Sequence, residues 1–374
     1  MVVMLYSYVA VNGFHISEVD YNHLTGTDWY SLVGITFSHV LTQVAVPMFF
    51  FISGFLFYVG IQEWQWTKYA DKLKRRIKTL LVPYLSWNTV QALIIVSVMV
   101  LAYFLFGKPL DRIVNWFHEI GGLTGIYWSN QATAVIKENV IGCSVLKTYP
   151  LLIPMWFIRD LMVTVLLSPV IWWLLRRIPF LTLILLAICW IMGIDTHIPG
   201  LSFIALLFFA VGAFSLEGKS FMKVFSRINK WLLVSLFVVL MLACIAFDGR
   251  TTHQGQVLLS VWIMVALPLV FRVIKWCGKR YPALSDKMSR MSGCTYFVFA
   301  FHGVIISYVY TVLWKLFGVV SDGSLLDSTY MNTHALNGIA AYLLTPIITV
   351  CVSVITYEVL SRVLKKSSWI LTGK

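Results

Sequence analysis

"LLVPYLSWNTVQALIIVSVMVLAYFLF" runs from Leu80 to Phe106 without one Asp, Glu, Lys or Arg. A helix rises about 1.5 Å per residue and the hydrocarbon layer of a bilayer is about 30 Å deep, so roughly 20 apolar residues suffice to cross it. The run is long enough. Just before it stand Lys72, Lys74, Arg75, Arg76 and Lys78, the kind of charge that keeps a helix end on the cytoplasmic side. The stretch reads as a transmembrane helix entering from the inner face.

The rest of the chain repeats this pattern. Of 374 residues, 59% are hydrophobic and only 12% charged, against about a quarter charged in soluble domains; the mean hydropathy is +0.82. About ten windows qualify as spans: Met1 to Ile16, Val40 to Ile61, Leu80 to Phe106, Leu151 to Leu175, Phe180 to Ile194, Gly200 to Leu216, Trp231 to Phe247, Val257 to Ile274, Cys294 to Val319 and Leu336 to Leu360. The fifth is short. The first is short as well, has no preceding cation or small-residue cleavage site to suggest a signal peptide, and reads as a helix whose usual start is missing. The fold expected is all-α, a polytopic transmembrane bundle of about ten helices forming one integral-membrane domain over residues 1–374.

Charge tests that count independently. With the N-terminus inside, most of the 29 Lys and Arg residues fall on alternate segments: Lys68 to Lys78, Arg176 and Arg177, Lys219 to Lys230, Arg272 to Arg290, and Arg362 to Lys374. The opposite side holds only Lys108, Arg112, Lys137, Lys147 and Arg250. Both termini are therefore expected in the cytoplasm, in a multi-pass protein of the inner (cytoplasmic) membrane. This spacing also explains the net charge of +13 without a nucleic-acid partner, since the cations are distributed between apolar segments and do not line one face. The six cysteines include no C-x-x-C pair, which disfavours a zinc site or a disulfide framework, and no metal is expected. One long external loop, residues 107–150, carries Trp116, Phe117, Tyr127 and Trp128; such aromatics lie against the membrane surface or fold over a cavity.

Some residues do not belong in lipid. "IPMWFIRDLMVTVLL", Ile153 to Leu167, sets Arg159 beside Asp160 inside an apolar run. A charge at mid-bilayer costs roughly 2.5 to 3.5 kcal/mol on insertion scales, so such groups face the bundle interior or water. Neighbours on a helix point about 100° apart, which calls for a partner on another helix for each. They mark either a polar site or a structural clamp. "TYFVFAFHGVII" adds His302, either a satisfied interior histidine or a functional one. Counted inward, His302 lies about 12 Å from the cytoplasmic end and Arg159 about 12 Å from the outer end, so the two would outline a polar path. The cations Lys74, Arg75, Arg76 and Lys78 are open to two readings: topogenic charge against anionic lipid, or a cradle for the 3′-phosphate and pyrophosphate of a coenzyme A thioester. In "VAVPMFFFISGFLFYVG", Pro47 implies a kink, and Gly54 with Ser53 implies close helix packing.

The string "VAVPMFFFISGFLF" resembles the signature of the integral-membrane acyltransferase 3 family, whose members O- or N-acylate sugars and cell-envelope glycans. "KLKRRIKTLLVPYLSWN" resembles the family's basic stretch before its third helix, "MWFIRDLMVTVLLSPVI" its Trp-Phe-x-x-Arg-Asp-Leu stretch, and "FIALLFFAVGAF" and "FVFAFHGVII" its later helices. The resemblance implies acyl transfer from cytoplasmic acetyl-CoA or another acyl-CoA to a hydroxyl or amine of an envelope saccharide or lipid-linked glycan. A histidine would take the acceptor's proton, and a cationic or hydrogen-bonding group such as Arg159 would stabilise the oxyanion. Two departures stand out. The family's first-helix His aligns with Tyr6 in "MVVMLYSY", with His15 in "VNGFHIS" as the alternative alignment, and the common Arg-x-x-Arg becomes Arg75-x-x-Lys78. Tyr6 is a poor base at neutral pH, which leaves the base role to His302 or His15, or makes this a catalytically impaired relative. A glycan exporter is the competing class, since intramembrane Arg, Asp and His also line transport paths; paired broken helices are not evident in the sequence.

Overall fold

The computed structural model describes residues 19–61, 63–215, 228–248, 252–318, 328–364 and 369–372. The first window, with Tyr6 and His15, lies outside them. The chain is mostly helical, and it divides into two compact units: residues 1–47 with 226–363, and residues 48–225 with 364–374. Among the described residues five helices are long and apolar enough to cross a membrane, or six if one bent pair counts as a single span, against about ten expected; Pro179–Ile191, Phe203–Phe214 and Lys230–Ala246 are apolar but shorter.

The first unit begins with α1 (Gly26–Gly34), a π-helical turn (Ile35–Val40) and a 3-10 turn (Leu41–Val44), which lead into α2 (Ala45–Tyr58), a helix that belongs to the second unit from residue 48 on. Gly26–Tyr58 is one apolar stretch of 33 residues, so the span expected from Val40 starts a dozen or so residues earlier, near Gly26. Thr25 sets that start: its side chain accepts from Asp28 N while the Asp28 carboxylate accepts from Thr25 N, a capping box. Further along are α11 (Lys230–Ala246), α12 (His253–Arg280), α13 (Pro282–Arg290), α14 (Thr295–Leu316) and α15 (Ser328–Leu364), the last kinked at the non-helical His334. Tyr30 packs edge-on against Trp314 at 5.9 Å and Tyr342 at 6.0 Å, and the Ser38 and Tyr342 hydroxyls share a hydrogen bond of 2.5 Å. The π turn packs against α11 and the 3-10 turn against α12.

In the second unit α3 (Trp66–Arg76) runs through a π turn (Ile77–Leu81) into α4 (Val82–Phe106). The long loop at residues 107–150 folds as α5 (Asp111–Glu119), α6 (Gly122–Tyr127) and a hairpin of β1 (Asn130–Glu138) with β2 (Ser144–Tyr149). The hairpin corrects the all-α expectation. Its antiparallel register pairs Val135 with Lys147 and Lys137 with Val145, and Asn139 shapes the turn by accepting from Ile141 N and Cys143 N with Gly142 at positive φ. Next come α7 (Trp156–Leu166), α8 (Ser168–Arg177), α9 (Pro179–Ile191), α10 (Phe203–Phe214) and α16 (Trp369–Thr372).

The window from Leu151 to Leu175 is not one straight helix: its two pieces bend by 60°, because Pro169 cannot continue the α7 ladder. Tyr58 donates to the Ser168 carbonyl at that break, 2.7 Å away. Gly54 has the role its position suggested. A Cβ there would sit 2.1 Å from the Phe209 carbonyl oxygen, and one on Gly212 would sit 2.1 Å from that of Phe51, so α2 and α10 touch backbone to backbone.

Candidate functional site

Arg159 and Asp160 lie on the second turn of α7, buried at 4% and 3% exposure. The guanidinium is almost fully engaged. Nε and Nη2 reach the Asp160 carboxylate at 3.1 and 3.0 Å, and Nη1 donates to the carbonyls of Trp128 at 2.7 Å and Thr148 at 3.1 Å. The expectation of a separate partner on another helix is thus corrected for Arg159, whereas Asp160 also meets the Ser202 hydroxyl at the N-cap of α10. The flexible Arg side chain curls back to its own neighbour despite the 100° offset of their Cβ atoms, and its remaining donors go to loop and hairpin carbonyls.

Around this pair the entry to α7 is hydrogen-bonded to α4 and α6. Asn88, fully buried, donates to Tyr84 O at 2.9 Å and accepts from Leu152 N at 3.0 Å. Tyr84 donates to the Tyr127 carbonyl, and Thr89 shares a 2.8 Å hydrogen bond with the Tyr127 hydroxyl. Between α4, α5 and α6 lies an apolar cavity of about 390 Å³ lined by residues that include Leu93, Val96, Trp116, Phe117 and Tyr127. Three of the loop's aromatics, Trp116, Phe117 and Tyr127, line this pocket, whereas Trp128 packs by the Arg159 guanidinium.

The basic stretch separates by use. Lys72 is committed to structure: its ammonium donates to the Phe57 carbonyl and to Val59 O at 2.9 Å, neutralising the exposed C-terminal carbonyls of α2. Arg76 is half-buried, whereas Lys74, Arg75 and Lys78 are exposed. The Lys78 ammonium also sits 5.2 Å above the Trp369 ring.

His302 belongs to the first unit, on α14, with no exposed surface. Its Nδ1 lies 3.3 Å from Val298 O, one turn back, and its ring packs 5.8 Å from Phe299. The first unit holds a further pair. His39 Nδ1 meets Asp248 Oδ1 at 2.8 Å, with side-chain exposures of 4% and 20%. Sequence reading passed over His39 because it placed the residue outside a span. The available signal was the Thr25-x-x-Asp28 capping box, which moves the helix start upstream and puts His39 inside. Tyr21, ahead of α1, donates to Ile245 O at 3.2 Å; burial and the nearby Asp248 carboxylate hold its phenol above the usual value.

The family profile described as an acyltransferase domain, that of acyltransferase 3, matches residues 8–358. This span takes in every candidate residue above except Tyr6. The chain is also similar to the succinoglycan biosynthesis protein ExoH of Rhizobium meliloti (strain 1021), 29% identical over 147 residues. That match covers 39% of this chain and 34% of the relative's length. No solved structure matches the chain.

Proposed function

This chain belongs to the acyltransferase 3 family, and from that premise we propose that it moves an acetyl group from cytoplasmic acetyl-CoA to a hydroxyl of an envelope saccharide or lipid-linked glycan. The observation that carries the reading is the family match over residues 8–358. The direction towards a polysaccharide is supported by the similarity to a succinoglycan biosynthesis protein.

Acyl transfer from a thioester needs three things: a site for the coenzyme, a base for the acceptor's proton, and a rigid frame that holds the reacting atoms in line. Arg75 and Lys78, exposed at the junction of α3 and the π turn with Lys74 beside them, are suited to phosphate contacts, and Arg76 backs them. Lys78 supplies charge without the two-pronged geometry of an Arg, so it would hold a phosphate as a point charge. Arg159 and Asp160 stiffen the second unit, clamping the hairpin end and the α6 exit onto α7. The proton goes to a histidine.

The test uses purified full-length protein in detergent, radiolabelled acetyl-CoA, and oligosaccharides from the host's envelope polysaccharides. Thiol release matched by label on the glycan supports the reading. Movement of a glycan across sealed vesicles without coenzyme A release would replace it with an exporter, and neither activity would mark an impaired relative.

A further inference from the structure

His39 and Asp248 stand 209 positions apart in sequence and meet at 2.8 Å. Each is held there against its local preferences. His39 sits in a π-helical turn, Ile35–Val40, a rare conformation frequent at functional positions. Asp248 follows the C-terminal end of α11, where the helix dipole disfavours a carboxylate, and it takes φ +39°, a left-handed backbone uncommon outside glycine that Asp and Asn adopt most readily of the other residues.

Packing enforces that backbone. Thr252 caps α12 by accepting from Gly255 N at 3.0 Å while donating to the Phe247 carbonyl. A Cβ on Gly255 would lie 2.5 Å from the Asp248 carbonyl oxygen. A carboxylate held by the surrounding packing and aimed at a buried histidine is the arrangement of a positioned proton acceptor.

We infer that His39 is the base that accepts the acceptor's proton, and that Asp248 is its positioning residue. This rests on the acyltransferase reading. A carboxylate on Nδ1 fixes the ring as the tautomer whose Nε2 carries the lone pair, and it stabilises the imidazolium once formed. The acceptor's O–H proton passes to His39 Nε2 as the oxygen attacks the thioester carbonyl carbon. The tetrahedral intermediate then collapses with cleavage of the C–S bond, and the proton returns from Nε2 to the departing sulfur, giving ester and free coenzyme A thiol. His302 is less suited. Its Nδ1 faces a neutral main-chain carbonyl, which stabilises an imidazolium much less than a carboxylate does. With Asp248 one-fifth exposed and His39 buried, the pair also links the helix interior to the surface.

The experiment compares wild type, H39N and D248N, purified at full length in detergent, with acetyl-CoA and the saccharide that the wild type acylates. Asn tolerates the left-handed backbone, so D248N removes the charge and keeps the fold. Expected is a fall in kcat of about 10² to 10⁴ for H39N and at least about tenfold for D248N, with KM for acetyl-CoA and the thermal midpoint unchanged. Turnover within about threefold of wild type in either variant overturns the inference. If H39N fails to fold, D248N decides: lower kcat at constant KM and midpoint supports the pair as catalytic, whereas wild-type kcat, or a loss that follows a lowered midpoint, overturns it. A wild type with no acyl transfer removes the underlying reading instead, which separates the two failures.

Discussion

The guanidinium of Arg159 and the carboxylate of Asp160, adjacent on one helix, lie 3.0 Å apart with less than 5% of either residue exposed. Such a pair is costly to desolvate and costlier to break. Removing one partner of a buried pair typically costs about 3–5 kcal/mol, because an uncompensated charge is left behind, whereas replacing both is often close to neutral. R159L should therefore lower the unfolding midpoint in detergent strongly, and R159L/D160L should recover most of the loss. A double variant no more stable than R159L would show that the two carbonyl contacts of Nη1, to Trp128 and Thr148, matter more than the ion pair.

The contact between α2 and α10 depends on two glycines. G54A and G212A each place a methyl group 2.1 Å from a carbonyl oxygen of the facing helix, so the helices must part. Each is expected to destabilise by about 1–3 kcal/mol. G278A is the control, since its nearest atom, Ser285 Oγ, is 4.0 Å away. Equal midpoints for all three variants would refute the close approach.

Within the basic stretch, function and structure should separate kinetically. R75A should raise KM for acetyl-CoA about tenfold, the equivalent of about 1.5 kcal/mol for one charge-assisted contact, with kcat and stability unchanged. K72A should instead lower stability through its lost carbonyl contacts and leave KM alone. An unchanged KM in an R75A/K78A double variant would assign these charges to topology and lipid.

Two cysteines report orientation. Cys143 is exposed in the β1–β2 turn, and Cys277 is partly exposed in the last turns of α12. If the charge distribution sets the topology, a membrane-impermeant maleimide should label Cys143 in right-side-out vesicles and Cys277 only in inverted ones. The reverse pattern would invert the topology.

Part of this protein is legible in its sequence. The apolar windows are local properties, because the hydrocarbon layer tests each segment for length on its own, yet of about ten such windows five or six form helices long and apolar enough to cross it among the described residues. Gly54 was legible for a related reason: a missing side chain has one use in a packed span. Partnership was not legible. Whether Arg159 would reach another helix or curl back to Asp160 depended on where the Trp128 and Thr148 carbonyls came to lie. The hairpin was hidden in a segment read only for its aromatics, and His39 was hidden by a helix start placed too late. Its meeting with Asp248 across 209 residues could not be read from either neighbourhood, since sequence specifies which groups must leave lipid and only the assembled packing decides which group each one finds.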